Sequence, residues 1–170
     1  LVPPAFYLDR YLRLDLPDPA IGDWAAPPPD EGAGLRLESD QVKLEGEALR
    51  SCRAGYYGLI NHLDDQFYRV LGRNPHVDWR NTYTMLTADH GEEFLEHGLL
   101  EHGWMLFDPA VKVPLILKGP GIAPGRIQDQ VELISIAPTL LEAAGIDGEG
   151  AEFDGGSLLG RGKGSYSKVA

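Results

Sequence analysis

A single cysteine, Cys52, occurs in the 170 residues, so no intrachain disulfide can form and the redox compartment is left open. Lys and Arg are scarce: 15 against 26 Asp and Glu, for a formal net charge of −11. That balance excludes a nucleic-acid-binding or anionic-membrane-binding surface, because either needs clustered cations to neutralise phosphate. No apolar run approaches a membrane span, and no charged-then-apolar signal segment opens the chain. The first residue is Leu1 rather than Met, from which we expect a processed or excised piece. What is present in ordinary amount is apolar content, 43%, enough for one domain with a core. If such an acidic chain takes an anionic substrate, a bound metal ion is the obvious local source of positive charge.

Three regions follow. Residues 1–44 form a Pro-rich stretch ("LVPPAFYLDRYLRLDLPDPAIGDWAAPPPDEGAG" at its start) without sustained periodicity, which predicts an irregular arm with short turns. Residues 45–160 carry the periodic segments, and 161–170 read as a tail. Within the middle region Cys52, Tyr56, Leu59, Leu63, Phe67 and Val70 recur at helical spacing, predicting a helix from about Glu45 to Leu71 with that stripe buried. Gly72 and Pro75 stop it. "TYTMLT" (82–87) and "VPLILKG" (113–119) predict strands. In "VELISIAPTLLEAAGI" Ser135 is the expected cap of a helix with Pro138 in its first turn and Gly145 at its end. Helix, strand, loop, strand, helix is the order of an α/β domain.

The loop between the two strands, "ADHGEEFLEHGLLEHG" (88–103), holds three histidines and five carboxylates. Open α/β sheets place ligand groups just past the carboxyl ends of strands, where Asp89 and His90 fall. An acid beside an imidazole, followed by Gly91 for a tight turn, suits a pair of metal ligands, although an ordinary Asp–Gly turn is the competing reading. Glu92, Glu93, Glu96 and Glu101 are expected on a solvated face. His62, between apolar helix positions, is expected to be a hydrogen-bonded histidine near the core. A separate metal site built on His97 and His102 is disfavoured, because their spacing of five does not share one helical face.

Several ordered motifs add a resemblance. "YYGLINHLDDQFYRVL", "NTYTMLTADHGEEFLEHGLLEHGWMLFDPAVKVPLILKGPG", "VELISIAPTLLEAAGI" and "FDGGSLLG" resemble the carboxyl-terminal half of a sulfatase of the alkaline phosphatase superfamily. The resemblance implies an α/β fold, a partial alkaline-phosphatase-like sandwich with a mixed sheet flanked by helices, as a fragment of a larger domain. It implies that Asp89 and His90 bind a divalent metal ion, calcium first, with magnesium, manganese or zinc as alternatives. A His at the second position is closer to phosphonate monoester hydrolases than to arylsulfatases. Sulfatases also carry a Gly-Lys motif before a Tyr-Glu pair. Here Phe107-Asp108 stands in place of Tyr-Glu and the lysine is absent, with His102 nearest to it.

By that neighbourhood His102 is assigned to substrate contact or proton donation, tasks an imidazole suits. His97 either orients a ligand or serves the structure. The family's nucleophile motif, Cys/Ser-x-Pro-x-Arg, has no match; "CRAG" at Cys52 does not fit it. The resemblance therefore implies that the nucleophile and further metal ligands lie in a missing amino-terminal half, and that the substrate is an anionic sulfate, phosphate or phosphonate ester. The isolated chain is expected to be inactive and, through exposed apolar surface, to form homo-oligomers. The alternative is a catalytically inactive sulfatase-like binding or scaffold module.

Overall fold

A computed structural model of the chain describes residues 2–23, 44–103, 105–146, 148 and 152–159. The expected tail, 161–170, and residues 24–43 of the expected arm lie outside the described residues. The chain divides into two units: Leu1–Val77 with His90–Val113, and Asp78–Asp89 with Pro114–Ala170.

In the first unit the expected irregular arm contains a helix, α1 (Ala5–Leu12). Eight residues are too few for periodicity to reveal, and isolated helices of that length are marginal in water, so tertiary contacts decide. They come from α2 (Gly46–Phe67). Tyr7 donates its hydroxyl hydrogen to Asp65 (2.8 Å), Arg10 donates to Asn61 (3.0 Å), and Arg50 donates to the Leu12 carbonyl (2.6 Å). Tyr11 stacks on Tyr57. Gly58 permits the approach: a Cβ there would stand 3.0 Å from Pro3 and 3.3 Å from the Tyr7 backbone.

The helix closes in a π-type turn, Tyr68–Gly72, as the Gly72 and Pro75 stop signals predict. Its buried positions are Ala54 and Gly58, and it is Gly58 that lets α1 come close. The stripe expected to be buried is instead open at Tyr56, Leu63, Phe67 and Val70, while Cys52 and Leu59 are half-buried. His62 also departs from expectation. Its ring meets Tyr7 edge-on at 4.9 Å, and its buried Nδ1 has no hydrogen-bond partner.

Two short strands, β2 (Glu93–Phe94) and β3 (Leu100–Glu101), pair antiparallel in this unit, followed by a one-turn helix, α3 (Asp108–Val111). Tyr56 and Phe94 place their ring centroids 4.9 Å apart, fastening the hairpin to α2.

In the second unit β1 (Thr84–Thr87) pairs antiparallel with β4 (Leu115–Lys118), Leu86 facing Ile116 across the ladder. Both strands fall inside the stretches predicted from β-branched and apolar content. Gly119 closes the pair under Tyr83, whose ring occupies the space a Cβ would need and whose hydroxyl donates to the Pro120 carbonyl (3.0 Å). The last helix, α4 (Ile136–Ala143), follows a 3₁₀ turn, Leu133–Ser135.

Ser135 sits before α4 but makes no side-chain cap, because its own backbone is already helical (φ −75°, ψ −10°). Its carbonyl accepts instead from the buried Thr139 hydroxyl (2.5 Å), whose oxygen in turn accepts the Leu158 N–H (2.9 Å) and pins the final described segment. The order helix, strand, loop, strand, helix thus stands as read, with small antiparallel sheets. No described helix is long and apolar enough to cross a membrane.

Candidate active site

Past Thr87 the chain leaves β1 through Ala88, and Asp89 and His90 are both exposed. Gly91 and Glu92 then lock onto α3: the Gly91 N–H donates to the Ala110 carbonyl (2.7 Å) and the Glu92 N–H to the Pro109 carbonyl (2.9 Å). The approach is backbone on backbone, and a Cβ on Gly91 would overlap the Pro109 carbonyl oxygen. The requirement for glycine is therefore steric.

His90 places Nδ1 2.9 Å from the Gly91 carbonyl oxygen. A carbonyl only accepts, so Nδ1 carries the hydrogen and the neutral ring has its lone pair on Nε2. This is the arrangement that orients a metal-ligating imidazole. The His102 ring stacks on His90 at 3.8 Å and 24°. His102 is held in turn by Glu92, whose two carboxylate oxygens are each 3.2 Å from its Nδ1. Glu92, His102 and His90 thus form a contiguous run of side chains.

A second histidine–carboxylate pair lies in the hairpin. Its turn needs left-handed backbone at Leu95 (φ 75°) and Gly98 (φ 72°), with Leu95 and Leu99 joined by a 2.8 Å hydrogen bond. The fold buries Glu93 completely and sets its Oε2 3.2 Å from His97 Nδ1. His97 stacks on Phe107 at 3.9 Å and 9°. The ring borders an open cleft of about 500 Å³, lined also by Ala20, Glu96, Leu106, Asp108 and Pro109.

The four loop glutamates therefore do not share a solvated face. Of the four only Glu101 is exposed, Glu92 and Glu96 are half-buried, and Glu93 is inside. Glu92 and Glu93 each pair with an imidazole and Glu96 accepts the Phe94 N–H, contacts that offset part of the desolvation of the carboxylates. The signal in the sequence was the spacing of four between Glu93 and His97; nothing in it marked the ten-residue span from Glu92 to His102.

The left-handed Leu95 provides a test of what holds the hairpin. Relief of its backbone strain by glycine is worth about 1–2 kcal/mol. Leu95 is also only 6% exposed, and removing a buried Leu side chain costs about 2–5 kcal/mol. Burial wins, so Leu95→Gly is expected to lower the urea midpoint; a higher midpoint would show that strain dominates.

Glu92 also reaches the helix behind the loop. Burial, reinforced by the Glu92 charge, pushes both the Cys52 thiol and the Tyr56 hydroxyl above their ordinary values. A thiol so disfavoured as thiolate is a poor nucleophile, in keeping with the packing role read for Cys52.

As a donor set, Asp89 offers a carboxylate and His90 an Nε2 lone pair, which suit a divalent cation. Hard cations take about six donors. Among the described residues no group of three or more His, Cys, Asp or Glu is arranged to hold a metal ion.

The model of the family named Sulfatase matches residues 22–146. The chain belongs to the sulfatase family. An arylsulfatase of Clostridium perfringens is 34% identical over 152 residues, covering 86% of this chain and 31% of that protein. A multifunctional alkaline phosphatase superfamily protein of Trinickia caryophylli is 36% identical over 134 residues, covering 76% of this sulfatase-family chain and 24% of that protein. A solved structure from Bacteroides thetaiotaomicron, described as a sulfatase, superposes with a TM-score of 0.54 at 27% identity. It covers 73% of this chain and 28% of its own. The fold is thus that of part of an alkaline-phosphatase-like α/β domain, and the chain spans less than a third of the length of the relatives it matches.

Proposed function

We propose that this chain is the part of a metal-dependent sulfate-ester hydrolase that carries two metal ligands, Asp89 and His90, and two working imidazoles, His102 and His97. The observation that carries this reading is the Glu92–His102–His90 run immediately after an Asp–His pair at the end of β1, in a chain of the sulfatase family. A divalent ion held by Asp89 and His90, calcium first with magnesium, manganese or zinc as alternatives, would supply Lewis-acid polarisation of the ester's non-bridging oxygens. The Gly91 carbonyl holds the hydrogen on His90 Nδ1, so Nε2 is the nitrogen that would serve as the donor to the ion. Glu92 orients His102, which contacts the anionic ester oxygens or gives a proton to the leaving oxygen.

The nucleophile and the remaining metal ligands come from sequence amino-terminal to this chain. Support for that comes from the share of the relatives matched, 31% for the Clostridium arylsulfatase, and from the apolar side chains left open along α2. Phosphate or phosphonate esters are the related substrates. The test is hydrolysis of a matched pair of sulfate and phosphate monoesters by the full-length gene product, before and after chelation. Sulfate turnover that is lost on chelation and restored by a divalent ion is expected.

One observation favours a second reading. Phe107-Asp108 stands where the family resemblance leads one to expect Tyr-Glu, which suits a catalytically inactive binding or scaffold module. Retained ester binding without turnover would select it.

A further inference from the structure

We infer that Glu93 is a positioning residue for His97, fixing which edge of the imidazole faces the cleft and which nitrogen carries the proton. The inference rests on the reading above, in which His97 is one of two working imidazoles, and deepens it by giving His97 the task of handling a proton of the reacting ester. A fully buried carboxylate is costly, and an apolar side chain of similar size would ordinarily serve packing as well or better. Glu93 bears that cost with one oxygen on His97 and the other, Oε1, buried without a hydrogen-bond partner. Among the described residues, the hydrogen bond this acid makes through its side chain is to the His97 ring.

Two of the contacts on His97 bear on its orientation. Phe107, stacked on its face at 3.9 Å, sets the plane of the ring. Stacking alone leaves the ring free to turn over, which would exchange Nε2 with a carbon and present C–H where a nitrogen is needed. The Glu93 contact removes that freedom, because only Nδ1, and no ring carbon, can donate a strong hydrogen bond to the carboxylate. A carboxylate accepts, so in the neutral ring the proton stays on Nδ1 and Nε2 keeps its lone pair. His97 borders the cleft beside Glu96, Phe107 and Asp108, where Nε2 takes a proton from, or returns it to, a reacting oxygen.

The test uses full-length protein labelled with ¹⁵N-histidine, its ring-nitrogen shifts read at a pH where imidazole is neutral. The His97 signals are assigned by their loss in His97→Gln. Wild-type His97 is expected as the Nδ1–H tautomer, and Glu93→Leu is expected to shift it to Nε2–H. Sulfate-ester kcat should fall about 100-fold in Glu93→Leu while KM stays within about twofold. A wild-type ring protonated on Nε2, or a Leu variant with unchanged tautomer or unchanged kcat, overturns the inference. Should Glu93→Leu fail to fold, the wild-type tautomer decides alone, with Glu93→Gln supplying the kcat comparison at an intermediate loss. Absence of turnover in wild type would defeat the hydrolase reading, whereas the tautomer would still decide the role of Glu93.

Discussion

Replacing Asp89 by alanine in the full-length protein is expected to cut sulfate-ester turnover by at least about 100-fold, a loss of about 2.7 kcal/mol in transition-state stabilisation. The size follows from what the residue is asked to do. Asp89 supplies the anionic half of the proposed donor pair, and His90 alone is a neutral nitrogen ligand that binds hard cations weakly. The effect on folding should be small, because the Asp89 side chain is exposed and substitutions at such positions typically change stability by less than about 0.5 kcal/mol. Separation of the two effects is the informative feature. Turnover measured with substrate in excess, alongside a denaturant titration of the same preparation, should show activity lost and the midpoint held. Asp89→Asn, which keeps the shape and loses the charge, should fall between. A midpoint that drops in step with activity would instead make Asp89 a structural turn residue.

The second large effect is on stability. Gly91→Ala adds one methyl group where the Pro109 carbonyl oxygen already stands. Overpacking costs about 1–3 kcal/mol when side chains can move aside. Here the obstructing atoms are backbone, held by the Gly91–Ala110 and Glu92–Pro109 hydrogen bonds, so we expect the upper end of that range or more. Against a total stability of about 5–15 kcal/mol this is severe. Gly103 makes the control. It has open space around a would-be Cβ but a φ of +97°, so Gly103→Ala costs only the backbone preference, about 1 kcal/mol. The denaturant midpoint should therefore fall much further for Gly91→Ala than for Gly103→Ala. Equal falls would mean that the loop does not sit on α3 as described.

Local signals were enough to place α2, β1, β4 and α4, because each has either a sustained period or a run of β-branched and apolar residues ended by glycine or proline. The same signals misjudged which face of α2 is covered. Periodicity weighs large apolar residues such as Leu63 and Phe67, whereas the buried positions are small, Ala54 and Gly58, and the close approach of α1 demanded glycine at 58. The helix α1 itself was hidden among prolines, since its reason to form lies in Asn61 and Asp65, more than fifty residues away along the chain.

In the loop, residue type identified Asp89, His90, His97 and His102 as worth attention. It could not sort the glutamates. Glu92 and Glu93 are neighbours of identical chemistry, and only the strand pairing of β2 with β3 and the left-handed turn at Leu95 send one to His102 and the other inward to His97. The missing cap at Ser135 has a similar origin: a 3₁₀ turn running straight into α4 leaves no extended residue from which a side chain could reach back.

The most direct measurement is the divalent-metal content and affinity of the full-length protein, wild type against Asp89→Ala and His90→Ala, by elemental analysis and titration calorimetry. Joint ligation predicts that wild type retains a divalent ion and that each variant loses it or binds it at least about 100-fold more weakly. Undiminished metal content and affinity in both variants would contradict the assignment of Asp89 and His90 as ligands.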